Sequence, residues 1–488
     1  MLGYEDVAVL CVPAQYAIAH LQLLSTWQEE KEGRALVLLQ EEQDLLPSDI
    51  PSTCLYRLTD PIDQSLTSLA WHYVFLTVKL WVPGDAFWAH KDAFERAVLG
   101  VHLVGSETKD FYSKAIYNTC LNILQAKESF CVKSLEGALK DLPAIICGAG
   151  PTLSDQIPIL KSCGSKAVIF AGGAALSALS SEQVPFHISA GVDPDPDPNR
   201  SLPPLNHPSP FFYQQRFSSE LLAKINSLKI PIPIGYPGPF DRWLTSSAPN
   251  PIELDGGWTV ATFMTSVATF LGCNPIIWVG LDCSFKEGMY AKTVAEASKD
   301  PDKDLEDTGS DIKTKKDWVM ASIWLSEWIE SHPDTSFINT SILSTFAQQD
   351  SMSIFEVANQ YLHEEYDIKA MVQKMIETIL LKEKDNQPQN AVAVFHQSLV
   401  RIRTYLDQLF GLYSQYHPED PTTKAEFMLL QYELEQEVFY QTVIEPVWSV
   451  WKIVFARSLP NDLKAPMLHQ ILFFRTIIDS YKDLEAAL

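Results

Sequence analysis

The sequence predicts an α/β protein: a doubly wound parallel sheet, preceded by a smaller N-terminal α/β unit and followed by an all-helical C-terminal region. Three observations predict it. Short apolar runs alternate with helix-length segments through the first two-thirds of the chain, which is how strand-helix-strand units with parallel strands read in sequence. Several of these runs stop at Gly or Asp, at what would be the ligand-facing carboxyl end of such a sheet. Beyond residue 353 strand-like runs cease and helical periodicity takes over.

Residues 7–12 are a compact apolar run suited to a buried strand, 15–30 a helix, and 35–39 and 54–58 two further strands, together a small parallel unit. From 92 to 134 the pattern is helical, with Phe94, Val98, Val101 and Leu103, then Phe111, Ile116, Leu121 and Leu124 as its apolar positions. Residues 143–147 are a strand that stops at Gly148. A helix at 155–163, a strand at 167–171, a short helix at 174–181 and a strand at 186–192 follow, closed by the turn DPDPDPNR. Residues 211–215, 230–236 and 276–279 are strand-length runs, with a helix at 258–271. Residues 282–317 read as a long polar loop, a lid or a disordered segment. An amphipathic helix at 315–331 carries Trp318, Ile323, Trp324, Leu325 and Trp328, and 337–339 is a last strand. Helices at 354–382, 391–416, 425–455 and 465–484 complete the chain, with turns at 386–388, 417–421 and 460–461. Their aromatics Tyr440, Trp448, Trp451 and Phe455 sit at helical spacing and read as packing residues. The expected domains are 1–110, 111–350 and 351–488.

With 488 residues the chain is too long for one core. A net charge of -24, with no compensating basic run, argues against nucleic acid and anionic membranes as partners. The start MLGYEDVAVL lacks the basic region of a secretory signal. No stretch reaches the roughly 18 uncharged apolar residues of a membrane span. Eight cysteines are scattered without a CxxC pair, as buried free thiols are, so a reducing, cytoplasmic setting without structural zinc is expected.

Five constellations carry candidate chemistry. In Ile146 to Asp155, Gly148 and Gly150 permit a sharp turn and close backbone approach, Thr152 and Ser154 add hydroxyls, and a helix start follows. That combination suits a phosphate, or it is a plain strand-helix turn with a Ser/Thr cap. The spacing is neither GxGxxG nor a Walker loop. Asp193 and Asp195 follow a strand and form an Asp-x-Asp pair able to hold a divalent cation, while Asp197 reads as part of a Pro-stiffened turn. Asp255, Gly256 and Gly257 open a helix whose N-terminal glycines would again suit an anion, or Asp255 is only the cap of that helix. Gly280 and Asp282 end the run IIWV, where an acid can bind a ribose hydroxyl or a metal or take a proton. Asn339, Thr340 and Ser341 form a polar cluster after the last strand. His187 lies within a strand and reads as a packed histidine.

Taken in order, CGAGPTLSDQIPILK, FHISAGVDPDP, GGWTVATFMTSVATFLGCNPIIWVGLDCSF and FINTS resemble the MptE-like domain shared with the motility-associated-factor (Maf) glycosyltransferases, and FYSKAIYNTCLNI resembles the asparagine-bearing helix before that core. The resemblance spans about residues 111–345. It implies a Rossmann-like core related to bacterial sialyltransferases. In the Maf branch it implies transfer of a sugar, a nonulosonic acid, from a CMP-activated donor to Ser or Thr of a protein, flagellin in that family. In the MptE branch it implies diphosphate transfer from ATP to 6-hydroxymethyl-dihydropterin with magnesium, for which Asp193 and Asp195 would hold the ion. By motif, Gly148, Gly150, Pro151 and Thr152 would take the nucleotide phosphate, Asp193, Gly257, Gly280 and Asp282 would line the crevice, and Asp282 or Asp193 would serve as base. The sequence departs from the family at Pro185-Phe186, at Leu281 and at Ser341 to Ser344, on the sugar or acceptor side. A nucleotide-binding or interaction protein that has lost catalysis is the remaining alternative.

Overall fold

The structure is a computed structural model that describes residues 4–41, 55–126, 130–198, 203–204, 207–232, 238–246, 254–286, 305–307, 312–341, 351–379, 387–413, 415, 419–458 and 465–484. The chain divides into two compact units: Met1–Asp110 with Val450–Ser458, and Phe111–Ser449 with Leu459–Leu488.

The first unit runs β1 (Val9–Pro13), α1 (Ala14–Glu29), β2 (Ala35–Gln40), β3 (Leu55–Arg57), α2 (Ile62–His72), β4 (Val78–Leu80) and α3 (Lys91–Asp110). Its strands pair in parallel in the order β3-β2-β1-β4. Leu10, Val12, Leu36 and Leu38 pack on one face with Leu24 and Trp27 of α1. Val9, Cys11, Val37 and Leu39 pack on the other with Leu66, Leu69 and Phe94. Burial on both faces is why these strands read as unbroken apolar runs. Helix α2 and strand β4 are absent from the sequence expectation; β4 is only three residues long and carries an exposed lysine at its centre.

The second unit is built on seven strands: β5 (Ala144–Cys147), β6 (Val168–Gly172), β7 (Ile188–Gly191), β8 (Phe211–Gln214), β9 (Lys229–Ile232), β10 (Ile276–Val279) and β14 (Phe337–Asn339). They form one sheet in the order β14-β10-β5-β6-β7-β8-β9, parallel throughout. The chain builds outward from β5 in one direction and then returns to its other side at β10. The junction of β5 and β10 is therefore the switch point, where open parallel sheets place their ligands. Between β10 and β14 the expected loop instead holds a small antiparallel sheet of β11 (Phe285–Lys286), β12 (Leu305–Asp307) and β13 (Ile312–Lys315). Strands of two to four mostly charged residues give no alternating signal. Most of KDPDKDLEDTGSD lies outside the described residues.

Thirteen α-helices follow α3 among the described residues, and several of them cover the two faces of the large sheet. In chain order they are α4 (Tyr112–Gln125), α5 (Leu153–Leu160), α6 (Ala174–Ser181), α7 (Ser219–Lys224), α8 (Pro239–Ser246), α9 (Val260–Phe270) and α10 (Lys316–Ser331). Then come α11 (Ile354–Tyr361), α12 (Ile368–Ile379), α13 (Gln387–Tyr413), α14 (Pro421–Glu435), α15 (Glu445–Ser458) and α16 (Ala465–Asp479). Ile146, Phe170, Phe212 and Trp278 pack with Phe263, Met264, Leu325, Val372 and Met375. Ile145, Ile169, Ile277 and Val279 pack with Leu153, Ile157, Leu176, Leu179, Ile354 and Val357 on the opposite face. The first two helices beyond residue 350 thus complete the core of the sheet.

The helix expected at 354–382 is two helices, and that expected over 425–455 is α14, a π-helical turn at Tyr440–Ile444 and α15. Helix α14 begins earlier than expected because Asp420 caps it, accepting from the N–H groups of Thr422 and Thr423, with Pro421 as its first residue. Proline fits that position, since its missing N–H would have no partner there anyway. Tyr440 and Trp448 pack edge-on against Phe474, and Trp451 packs on Phe455. Six of the described cysteines are buried and Cys131 is half-buried; all are free thiols, and Cys54 lies outside the described residues. No described helix is long and apolar enough to cross a membrane.

Candidate functional site

At the carboxyl edge of the large sheet, the turns after β5, β6, β7, β8 and β10 and the starts of α9 and α10 enclose a cleft of about 330 Å³. That volume is at the lower end of the range for small-molecule sites. Among the residues expected at a site, Gly148, Gly150, Asp193, Gly257, Gly280 and Asp282 line it. So do Gly172, Gly173, Gln214, Arg216, Trp258, Lys315, Asp317 and Trp318, which the sequence reading did not single out.

The β5 turn is folded against the end of β10. Gly148 N–H donates to Val279 O and Gly150 N–H to Gly280 O, both at 2.8 Å. Thr152 donates its N–H to Asp282 Oδ2 at 2.9 Å and its hydroxyl to Asp282 Oδ1 at 2.7 Å. Asp282 is fully buried. Burial pushes its carboxyl above the usual range, opposed by the hydrogen bonds from Thr152 and Ser341. The start of α5 therefore holds a carboxyl group of the protein itself, at the place where a nucleotide phosphate was expected. The glycines follow from the same packing. A Cβ on Gly150 would lie 2.2 Å from Asp282 Oδ2, and one on Gly148 2.4 Å from Gly280 O. Gly280 adopts a φ of +63°, and a Cβ there would meet Leu153 at 2.7 Å.

The polar cluster after β14 completes this arrangement rather than facing the cleft. Gln156 donates to Thr340 O at 2.8 Å and accepts from Gly280 N–H at 3.1 Å, while Thr340 donates its hydroxyl to Trp278 O at 2.7 Å. Asn339 Oδ1 accepts from Ser341 N–H at 2.9 Å, and the Ser341 and Thr152 hydroxyls are 3.3 Å apart. Pro151, Ser154, Asn339 and Thr340 are not among the cleft-lining residues.

The β6 turn is built differently. Gly172 closes β6 against α9, where a Cβ would meet Val260 Cγ2 at 2.4 Å. Gly173 caps α6 with φ +53° and ψ -134°, a conformation only glycine takes readily, and no side chain caps the helix. Gly173, Ala174 and Ala175 line the cleft, so the positive end of α6 opens into it.

The acids separate. Asp193 is exposed at the cleft, whereas Asp195 pairs with Lys114 Nζ at 2.5 Å and is not on the cleft wall. The expected Asp193–Asp195 metal pair is thus not assembled: Asp193 lies on the cleft wall, while the carboxylate of Asp195 is taken by Lys114. The carboxylate electrostatically coupled to Asp193 is Asp317, in the first turn of α10. Burial pushes Asp317 upward, Lys315 and backbone N–H groups oppose this, and Asp193 adds to the rise. Among the described residues no group of three or more His, Cys, Asp or Glu gathers to hold a metal.

Asp255 accepts from Gly257 N–H at 2.9 Å and from Trp324 Nε1 at 2.7 Å, and the cap of α9 is Thr259, in a reciprocal box with Thr262. Gly256 supplies a carbonyl that accepts from the Thr262 hydroxyl at 3.0 Å. His187 is a packed histidine: Nδ1 accepts from Ile169 N–H at 3.0 Å, and burial lowers its pKa to about 4.

Residues 117–288 match the family model described as 6-hydroxymethylpterin diphosphokinase MptE-like. No curated protein matches the chain. Among solved structures, the MAf glycosyltransferase from Magnetospirillum magneticum AMB-1 shares the fold over 97% of this chain and 78% of that one, with a TM-score of 0.56 and 15% identity. The chain therefore carries an MptE-like domain at residues 117–288 within an α/β fold shared with a Maf glycosyltransferase.

Proposed function

We propose that the cleft binds a nucleotide-activated sugar and that the protein is a Maf-like glycosyltransferase with a CMP-linked nonulosonic acid as donor and a protein Ser or Thr hydroxyl as acceptor. The observation that carries this reading is the uncapped start of α6 at Gly173 to Ala175, opening into a cleft that also contains Arg216 and Lys315. Backbone N–H groups at a helix start, with the helix dipole behind them, are suited to a phosphate. The donor's phosphodiester and carboxylate carry two negative charges, for which Arg216 and Lys315 are the cations on a wall that also carries the carboxylates of Asp193 and Asp317. Trp258 and Trp318 offer flat apolar surface to the base or sugar. Gly148 and Gly150 then serve as wall, and the phosphate role expected of them passes to the β6 turn.

In the reaction the bond from the anomeric carbon to the phosphate oxygen breaks, and its electron pair leaves with CMP. The acceptor oxygen bonds to that carbon and its proton passes to Asp193, the exposed carboxylate of the pair. The α6 start and Arg216 stabilise the charge developing on the leaving phosphate. Asp282 is a positioning residue in this scheme, because both its oxygens are engaged by Thr152. The diphosphokinase alternative required Asp193 and Asp195 to share magnesium, and their separation disfavours it.

A thermal-shift series with CMP, CTP, ATP and GDP, each with and without magnesium, tests the reading. At a concentration about 100 times Kd, binding adds roughly 2.7 kcal/mol of stability. Stabilisation by CMP without metal is expected. Stabilisation only by ATP with magnesium would favour the diphosphokinase, and no response to any nucleotide would leave a non-catalytic protein.

A further inference from the structure

Helix α4 touches the cleft only indirectly, yet it carries two side chains whose hydrogen bonds converge on the cleft's turns. Asn118 and Asn122 are four residues apart, hence on one face of the helix, and both are buried. Asn118 Nδ2 donates to Pro194 O at 2.9 Å and to Arg216 O at 3.3 Å. Its Oδ1 accepts from the N–H and hydroxyl of Ser219 at 3.3 and 3.1 Å. Asn122 Nδ2 donates to Gln215 O and Phe217 O, each at 2.8 Å. Ser218 N–H adds a direct tie to Asp193 O at 3.1 Å.

The carbonyls held in this way are those flanking the cleft residues. Pro194 is the neighbour of Asp193, and Gln215 and Phe217 bracket Arg216. Turn carbonyls beyond a strand end have no ladder partner and need another donor when buried. A carboxamide, with two donors and an acceptor in one plane, can serve two turns at once. Helix α4 gains nothing itself, since asparagine is a poor interior helix former. Asn122 Oδ1, moreover, is buried with no hydrogen-bond partner among the described residues.

We infer that Asn118 and Asn122 are positioning residues that fix the separation of Asp193 and Arg216 across the cleft, and so set donor affinity without touching the donor. The inference rests on the nucleotide reading above for its ligand, but the clamp itself can be measured without one. In Asn118→Ala, hydrogen exchange of backbone amides at 192–197 and 214–219 is expected to speed at least about tenfold, with the other sheet turns unchanged. CMP Kd, by calorimetry, is expected to rise about tenfold. In an Arg216→Ala background the same substitution is expected to cost much less affinity, because residues acting through one another are not additive. Should the alanine variant fail to fold, Asn118→Asp keeps the shape and the Ser219 contacts while placing an acceptor against both carbonyls. Unchanged exchange in the two turns, or affinity losses that simply add, would overturn the inference. A wild-type protein that binds no CMP would sink the nucleotide reading, and the exchange result alone would then decide whether the clamp exists.

Discussion

The turns after β5 and β6 leave adjacent parallel strands of one sheet, each carries two glycines and each opens a helix, yet only one keeps its helix start for a ligand. After β5, the backbone N–H groups of Gly148, Gly150 and Thr152 all donate to the protein itself, and Asp282 takes the anion position. After β6, Gly173 holds a left-handed conformation with no side-chain cap, and the start of α6 faces the cleft. A glycine permits close backbone approach, but what approaches can be a phosphate or the next strand. Here the strand-end glycines meet another strand end in the first turn and the cleft in the second.

The largest expected effect breaks the first turn. Gly150→Ala puts a methyl into the Asp282 carboxylate, where no flexible side chain can yield without losing both bonds to Thr152. Urea unfolding is expected to show a loss of about 3 kcal/mol or more, the upper range for overpacking. A loss under about 1 kcal/mol would mean that Asp282 can vacate the position and that the turn is free to bind an anion after all.

Next is Asp282→Ala, which leaves the Thr152 N–H and hydroxyl buried without an acceptor, at a cost of about 2–3 kcal/mol. The isosteric Asp282→Asn examines the charge separately. Because folding raises the carboxyl's pKa, the native state binds more protons than the unfolded one just above pH 4. Stability from this group is full below the unfolded pKa and is lost as pH rises through the folded one. Asp241, pushed up to about 6 by burial against the opposing pull of Arg216, adds a slope of the same sign. Stability measured between about pH 4 and pH 6 is therefore expected to fall with rising pH in the wild type and less steeply in Asp282→Asn. CMP affinity is expected to stay within about threefold in Asp282→Asn; a loss of tenfold or more would return the phosphate to the β5 turn.

Legibility from sequence follows the same division. Strands β5, β6, β7, β8 and β10 were readable because burial on both faces makes them continuous apolar runs, as at Ile276–Val279. The strand-end motifs were readable as motifs, since Gly148, Asp193, Gly257 and Gly280 do reach the cleft. Their division of labour was not. Nothing local to Thr152 announces that a carboxylate 130 residues later will occupy its N–H. Arg216 and Asp317 have no motif at all: each matters because of neighbours that only the folded sheet supplies. The one missed local signal was Gly172-Gly173, which ends the run AVIFA immediately before a helix and matches the pattern that singled out Gly148.

Gly173→Ala is the counterpart experiment on the open turn. A non-glycine residue at φ +53° is strained by about 1–2 kcal/mol, and the added Cβ would also press on Val260 Cγ1 at 3.3 Å. If the α6 start binds the phosphate, CMP affinity falls about tenfold, roughly 1.4 kcal/mol. Thr152→Ala supplies the contrast: a stability loss of about 1–2 kcal/mol with affinity retained. The reverse pattern, affinity lost in Thr152→Ala and kept in Gly173→Ala, would exchange the roles of the two turns.

The smallest expected effect concerns Lys315, whose Nζ lies 5.6 Å from the centre of the Trp318 ring at the edge of the cleft. Removing it subtracts one positive charge from a site that already contains Arg216 and the dipole of α6, so Lys315→Ala is expected to weaken CMP binding only about threefold. Two signatures identify the cause. The salt dependence of CMP affinity becomes shallower, since screening acts on exposed charges. Asp317, whose carboxyl Lys315 holds down against burial and Asp193, shifts further up and is protonated over a wider pH range. That protonation relieves Asp317's repulsion of an anionic ligand, so the affinity deficit of Lys315→Ala shrinks as pH is lowered. A deficit that is independent of both salt and pH would mean that Lys315 acts through its stacking on Trp318 and leaves the phosphate to the β6 turn and Arg216 alone.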